Sequence, residues 1–286
     1  MSNYIQKIYR ELKFTDDFMF TKIMVNNLEI CRKVLELLLD IEIKKVVLPE
    51  KQKIIEILSD SKGIRLDVYV NDEVGTVYNI EMQTTISKDL PKRSRYYQGM
   101  IDLNLIERGA RYGELKRSFV IFICLEDPFH KNLPVYRFEN VCLQDSSLFL
   151  KDEAIKIFIN ANGNLSGVSS DLAAFLNYLN GIIVPNDLVQ MIEKEVIMAR
   201  THEEWEVEFM TLFLRDQENL EKGRKEGRKE GRKEGQKQER EAGLREFIKS
   251  MKKILQVEEQ VYQAVLDSDH YKDTSREEFL QIYYNN

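Results

Sequence analysis

At 286 residues the chain can form one sizeable domain with an appendage or two modest domains, and 43% hydrophobic with 10% aromatic content is ordinary for a globular core. A net charge of −6 argues against a protein that coats nucleic acid non-specifically, although it leaves room for a local basic patch. The three cysteines, Cys31, Cys124 and Cys142, are odd in number, widely spaced and set among apolar residues, which suggests neither a disulfide framework nor a zinc knuckle and suits reduced thiols in a cytoplasmic protein.

In chain order, the N-terminus has no apolar signal region, and no window approaches the roughly 18 consecutive apolar residues that span a bilayer. The expectation is a soluble, cytoplasmic protein with no membrane partner. Thr15, Asp16 and Asp17 read as the cap of a helix whose apolar positions, from Phe18 through Leu28 and Val34 to Leu39, recur at three- and four-residue steps. Val46 to Leu48 and Ile54 to Leu58 have strand character. Gly63 to Gln83 follows as a β-hairpin: two alternating arms joined by a polar turn. Pro91 suits the first turn of a second helix running to about Arg108. Ser118 to Leu125 is a continuous apolar run of strand length, expected in a fully buried central or parallel position. Pro134 to Leu143 and Ser147 to Asn160 are β-like. Beyond the polar break from Gly163 to Ser170, the pattern is helical over Leu172 to Leu179 and Leu188 to Leu220.

Next come three identical tetrapeptides, Gly-Arg-Lys-Glu, starting at Gly223, Gly227 and Gly231, with a degenerate fourth at Gly235. In a helix, Glu226 and Glu230 would each find a lysine three residues on, worth a few tenths of a kcal/mol per pair. The glycines would cost about 1 kcal/mol each relative to alanine, so local propensity favours a solvated connector. A nucleic-acid-binding arm and a self-associating helix are the other readings of this repeat. Leu244 to Leu266 and Ser275 to Tyr284 read as short amphipathic helices. The expected organisation is a mixed α/β core over residues 1–165, a helical extension over 166–220, a repeat linker over 221–243 and a small helical tail over 244–286.

Chemistry concentrates in the hairpin. Leu66, Val68 and Val70 on the first arm, and Tyr78, Ile80 and Met82 on the second, form a core face; Arg65, Asp67, Tyr69, Asn79, Glu81 and Gln83 face the other way. A turn centred near Val74 sets Asp67 directly across from Glu81, whereas a turn centred one residue earlier makes them diagonal neighbours. Either register holds the two carboxylates roughly 5 to 8 Å apart. Like charges that close call for neutralisation, and a hard divalent cation with oxygen ligands supplies it. Asp67, Glu81 and the backbone carbonyl of Met82 could bind magnesium, with manganese as a substitute. Such an ion lowers the pKa of a water and neutralises charge building on a phosphate. Gln83, on the same face, could orient the water or a phosphate oxygen. The plain alternative is an exposed polar sheet face.

Asp67, thirteen intervening residues, and then Glu81, Met82 and Gln83 resemble the active-site signature of PD-(D/E)XK nucleases, in the variant where glutamine replaces lysine. More closely, the chain resembles the Rpn family of recombination-promoting nucleases, also described as PD-(D/E)XK family transposases. The carrying residues are Thr15 to Phe20, Tyr78 to Gln83, Arg95 to Tyr97 and Gly109 to Leu115, and the likeness spans roughly residues 12 to 160. It implies a restriction-endonuclease-like fold with a mixed four-stranded sheet flanked by helices. Asp67 and Glu81 would be metal ligands, Gln83 the third signature residue, and Asp17 an acidic helper in the first helix. Leu66 stands where the signature has proline. Thr21, followed by Lys22, stands where the family often has lysine.

Around the hairpin, Lys88, Lys92, Arg93 and Arg95 suit either phosphate contact or an ordinary solvated helix start. Arg65 could pair with a carboxylate or with substrate, and Tyr97 could reach the site or fill the core. The histidines 130, 202 and 270 are too scattered for a metal set. The leading expectation is a magnesium-dependent endonuclease acting on double-stranded DNA in recombination or mobile-element biology, as a homodimer because one site cuts one strand. The alternatives are a catalytically weak DNA-binding or self-associating protein that uses its helical tail, and a plain interaction protein.

Overall fold

The computed structural model describes residues 2–48, 66–106 and 109–284. The expected strand over Ile54 to Leu58, and Arg65 with it, lie outside the described residues. The chain divides into two compact units, Met1–Met210 and Thr211–Asn286.

In the first unit, α1 (Ser2–Glu11) precedes the acidic turn and buries Ile5 and Tyr9. The single helix expected over Phe18 to Leu39 is two, α2 (Asp17–Asn26) and α3 (Leu28–Leu39). Asn27 breaks the run: its backbone leaves the helical region, and its side chain accepts the Ile30 N–H at 3.1 Å, capping α3. Apolar periodicity continues across such a break, which is why spacing alone joins the two helices.

The sheet holds β1 (Val46–Val47), β2 (Val68–Asp72), β3 (Val77–Gln83), β4 (Ser118–Cys124), β5 (Val135–Phe138) and β8 (Ala154–Asn160), in the order β1-β2-β3-β4-β8-β5. Its middle four, β2, β3, β4 and β8, make the expected mixed sheet, with β2 antiparallel to β3 and β4 parallel to both its neighbours. β1 and β5 extend it to six strands by antiparallel pairing at the two edges. Every residue of β4 is buried, as its uninterrupted apolar run requires between two parallel strands. Two further strands, β6 (Val141–Cys142) and β7 (Asp145–Phe149), pair separately.

Helices cover both faces. On one, α2 and α3 pack with α5 (Ser170–Leu179) and α6 (Asp187–Ala199) over Val68, Val70, Ile80, Ile121 and Ile157. On the other, α4 (Leu90–Leu105) lays Leu90, Tyr97, Met100 and Ile101 over Val77, Val120, Phe122 and Phe158. A mixed sheet flanked by helices, with a long helical C-terminal region, is a restriction-endonuclease-like α/β fold. Cys31 and Cys124 are buried and Cys142 partly so, and all three are free thiols.

α7 (Glu203–Lys252) contains the whole tetrapeptide repeat, so the repeat is helical where local propensity favours a connector. Its residues are exposed throughout. Nucleation is the costly step in helix formation, and a repeat flanked on both sides by helix adds residues by propagation; its Arg, Lys and Glu are good formers that offset the glycines. In the second unit, the end of α7 joins α8 (Glu258–Leu266) and α9 (Arg276–Tyr284) around Leu244, Ile248, Val261, Val265 and Phe279. Arg240 pairs with Glu278 at 2.8 Å within this unit. Among the described residues, no helix is long and apolar enough to cross a membrane.

Candidate active site

The β2–β3 turn sets the register. Asp72 Oδ1 accepts the N–H groups of Val74 and Thr76 at 3.0 and 2.8 Å, and Tyr78 donates its hydroxyl to Asp72 Oδ2 at 2.9 Å. Gly75 closes the turn at φ +87°, a backbone angle that suits glycine and strains other residues. Val70 therefore pairs with Tyr78 and Val68 with Ile80, the register centred on Val74. Extended by one residue, it sets Asp67 directly across from Glu81.

Beyond Val68 the ladder gives way to side chains. The Met82 N–H donates to Asp67 Oδ2 at 3.3 Å, and the Asp67 N–H donates to Glu81 Oε1 at 3.2 Å. Within a strand, the N–H and C=O of one residue leave on the same side. The Met82 carbonyl thus projects along the edge where Asp67 stands.

The face carrying Glu81 is not exposed. Glu81 is 1% exposed and Asn79 fully buried, both under α4. The plain reading, an exposed polar sheet face, is thereby overturned at its centre. Burying a carboxylate demands partners, and Glu81 has several: Asn79 Nδ2 donates to Oε1 at 3.2 Å, and Arg93 Nη2 reaches Oε2 at 2.9 Å. Arg93 also donates from Nη1 to Gln83 Oε1 at 2.9 Å and from Nε to the Tyr97 hydroxyl at 3.0 Å. Gln83 Nε2 in turn donates to the Thr85 carbonyl at 2.6 Å.

The two carboxyls remain under-neutralised. Burial first, then the charges of Glu81 and Asp17, push the Asp67 carboxyl up to about 8. Glu81 is also raised by burial, against the lowering pull of the Asp67 N–H, Arg93 and Asn79. Asp17, on the first turn of α2, comes close enough to share a hydrogen bond with Asp67. Among the described residues, no three His, Cys, Asp or Glu side chains are grouped to hold an ion. Two carboxylates and a carbonyl are what the protein offers, and that set fits magnesium, which keeps several waters and takes only one or two carboxylates.

The hairpin thus brings Asp67, Glu81, Met82 and Gln83 together, α2 adds Asp17, and α4 adds Arg93 and Tyr97. Lys88, Lys92 and Arg95 are exposed. Lys22 is committed elsewhere, to Glu208 at 2.6 Å and over the Trp205 ring. Two roles went unread in the sequence: Asn79 as a donor to Glu81, and Arg93 as its ion-pair partner. Alternation alone places Asn79 two residues before Glu81 on the same face; nothing local reveals the Arg93 pairing, which depends on how α4 crosses the sheet.

A family model described as PD-(D/E)XK nuclease family transposase matches residues 14–162, just over half of the chain. The chain belongs to this family. The matched span contains the entire sheet together with α2, α3 and α4. Searches of curated proteins and of solved structures found no match. Membership makes the chain a nuclease associated with mobile elements, with DNA as the substrate that the family implies. PD-(D/E)XK nucleases generally use divalent metal ions.

Proposed function

We propose that the protein is a divalent-metal-dependent endonuclease that hydrolyses phosphodiester bonds in double-stranded DNA, in recombination or mobile-element biology. Magnesium is the ion, with manganese as a substitute. The observation that carries this reading is the approach of Asp67 and Glu81 at the end of the hairpin, one carboxyl partly buried and the other fully, whose charge their neighbours only partly neutralise.

Asp67, Glu81 and the Met82 carbonyl would hold the ion. When bound, it supplies Lewis acidity and neutralises charge that builds on the phosphate. The chain's own groups do the positioning. Asn79 and the Asp67 N–H fix Glu81 Oε1, the Met82 N–H fixes Asp67, and Thr85 with Arg93 fixes the amide of Gln83 beside them. Asp17 adds negative charge next to Asp67 and is a helper for the ion or for water. Lys88, Lys92 and Arg95, exposed just before and on α4, would contact phosphates of the duplex without reading its bases. Cutting both strands with one site per chain calls for two copies, so the working unit is a homodimer.

The test is cleavage of supercoiled plasmid by purified protein in magnesium, manganese or EDTA, alongside Asp67→Ala and Glu81→Ala. Nicking that needs the metal and disappears in both variants supports the reading. A folded wild type that neither cuts nor binds a divalent ion would overturn it in favour of a DNA-binding protein without catalysis.

A further inference from the structure

Arg93, partly buried at the edge of the site, is held from several sides. Its guanidinium lies over the rings of Tyr97 and Phe122, with centroids at 5.3 and 4.9 Å. Three of its N–H groups are aimed at Tyr97, Gln83 and Glu81. A guanidinium carries five donors, so one N–H on each terminal nitrogen has no protein acceptor among the described residues. The side chain is still 33% exposed. An oriented arginine with spare donors on both terminal nitrogens, open to solvent beside the carboxylates, is suited to the non-bridging oxygens of a phosphate.

Glu81 shows the other half of the device. Oε1 already receives two donors, from Asp67 and Asn79, and Oε2 receives Arg93. An ion bound by Glu81 therefore has to share Oε2 with the guanidinium or displace it. A divalent cation there withdraws negative charge from Arg93 and repels it. A phosphate placed between the two cations relieves that repulsion, and a phosphate that draws Arg93 away leaves Glu81 free for the ion.

We propose that Arg93 is the residue that takes the phosphate of the strand to be cut, and that its hydrogen bond to Glu81 couples ion binding to DNA binding. This rests on the nuclease reading above. Because coupling between two ligands is reciprocal, each one tightens the other, and the resting site is kept closed by its own arginine when no DNA is present.

The test uses full-length protein and Ca2+, a hard cation with the same preference for oxygen ligands. Affinity for a duplex oligonucleotide is read by fluorescence anisotropy with and without Ca2+, and affinity for Ca2+ alone by calorimetry, for wild type, Arg93→Gln, Arg93→Lys and Tyr97→Phe. In the wild type, Ca2+ is expected to tighten duplex binding by about tenfold, within the usual range of coupling between two sites. Arg93→Gln is expected to bind Ca2+ alone at least as tightly as wild type, because the competing cation is gone, yet to lose most of the Ca2+-dependent gain in duplex affinity. Arg93→Lys retains part of it. If Arg93→Gln does not fold, Tyr97→Phe, which keeps the charge and removes one brace, is expected to lower the gain. A gain left intact in the folded variants, or Ca2+ affinity lost in Arg93→Gln, overturns the proposal and reduces Arg93 to a structural counter-ion. A wild type that binds no divalent ion overturns the metal-dependent reading and this coupling together, an outcome recognisable before any variant is made.

Discussion

The hairpin end and the Gly-Arg-Lys-Glu repeat are both rich in charge, yet the chain treats them oppositely. Glu81 is buried and each of its oxygens is met by a named donor, whereas the repeat lies exposed along α7. A contact at the start of the repeat, Lys225 to the preceding Glu221 at 3.7 Å between two largely exposed side chains, is of the kind that contributes little. The difference is one of dielectric and register. Where charge is buried, position is fixed by partners distant in sequence, and moving one group leaves others unsatisfied. Where charge is solvated, the local rules of helix formation decide, and single residues are replaceable.

Breaking the buried side should have the largest effect. Asp67→Ala and Glu81→Ala are each expected to slow metal-dependent cleavage by more than about a hundredfold, beyond the usual effect of losing an outer partner of a metal ligand, measured as nicking rate on supercoiled plasmid. Asn79→Ala removes only a neighbour of Glu81. It is expected to lower stability by about 1 to 3 kcal/mol, through the lost donor and the space left behind, in a urea titration. A change below a few tenths of a kcal/mol would mean that Glu81 does not need it.

The pH dependence follows from the same burial. A carboxyl with a higher pKa in the fold than in the unfolded chain binds more protons when folded, so its stabilising effect is present below the unfolded value and is lost as pH rises through the folded one. Since Asp67 is pushed up to about 8, the melting temperature of metal-free protein is expected to fall between pH 5 and pH 8. Asp67→Asn should flatten that fall, and added magnesium should reverse part of it. At the exposed end the expected effect is smallest. Gly227→Ala with Gly231→Ala should raise helix content by circular dichroism, gaining up to about 1 kcal/mol of helix propensity per site, and leave the cleavage rate unchanged. A large loss of cleavage in that variant would show that the repeat is not the replaceable half of the comparison.

Much of the site was legible in the sequence because it is local. Alternation over Leu66 to Val70 and Tyr78 to Gln83 separates the two faces, and the Asp72 to Thr76 turn chooses between the two registers that leave Asp67 and Glu81 opposite or diagonal. The buried run at Ser118 likewise announces β4, since few other places accept seven consecutive buried residues. What stayed hidden is non-local. Nothing in the spacing says that α4 covers the acidic face, so an exposed polar face stayed open as the alternative and Arg93 stood as one of several cations for phosphate contact or solvent. The break at Asn27 is invisible to periodicity, which runs through it. The repeat read as a connector because propensity sums count each glycine and omit the helix on either side.

The most direct measurement is calorimetric titration of manganese into purified, metal-free protein at neutral pH, repeated with Asp67→Ala and Glu81→Ala. A single divalent-ion site in the wild type, abolished by each substitution while the variants still melt cooperatively, is the result this account predicts. No binding by the wild type, or binding that survives both substitutions, would contradict the claim that the Asp67–Glu81 pair is the metal site.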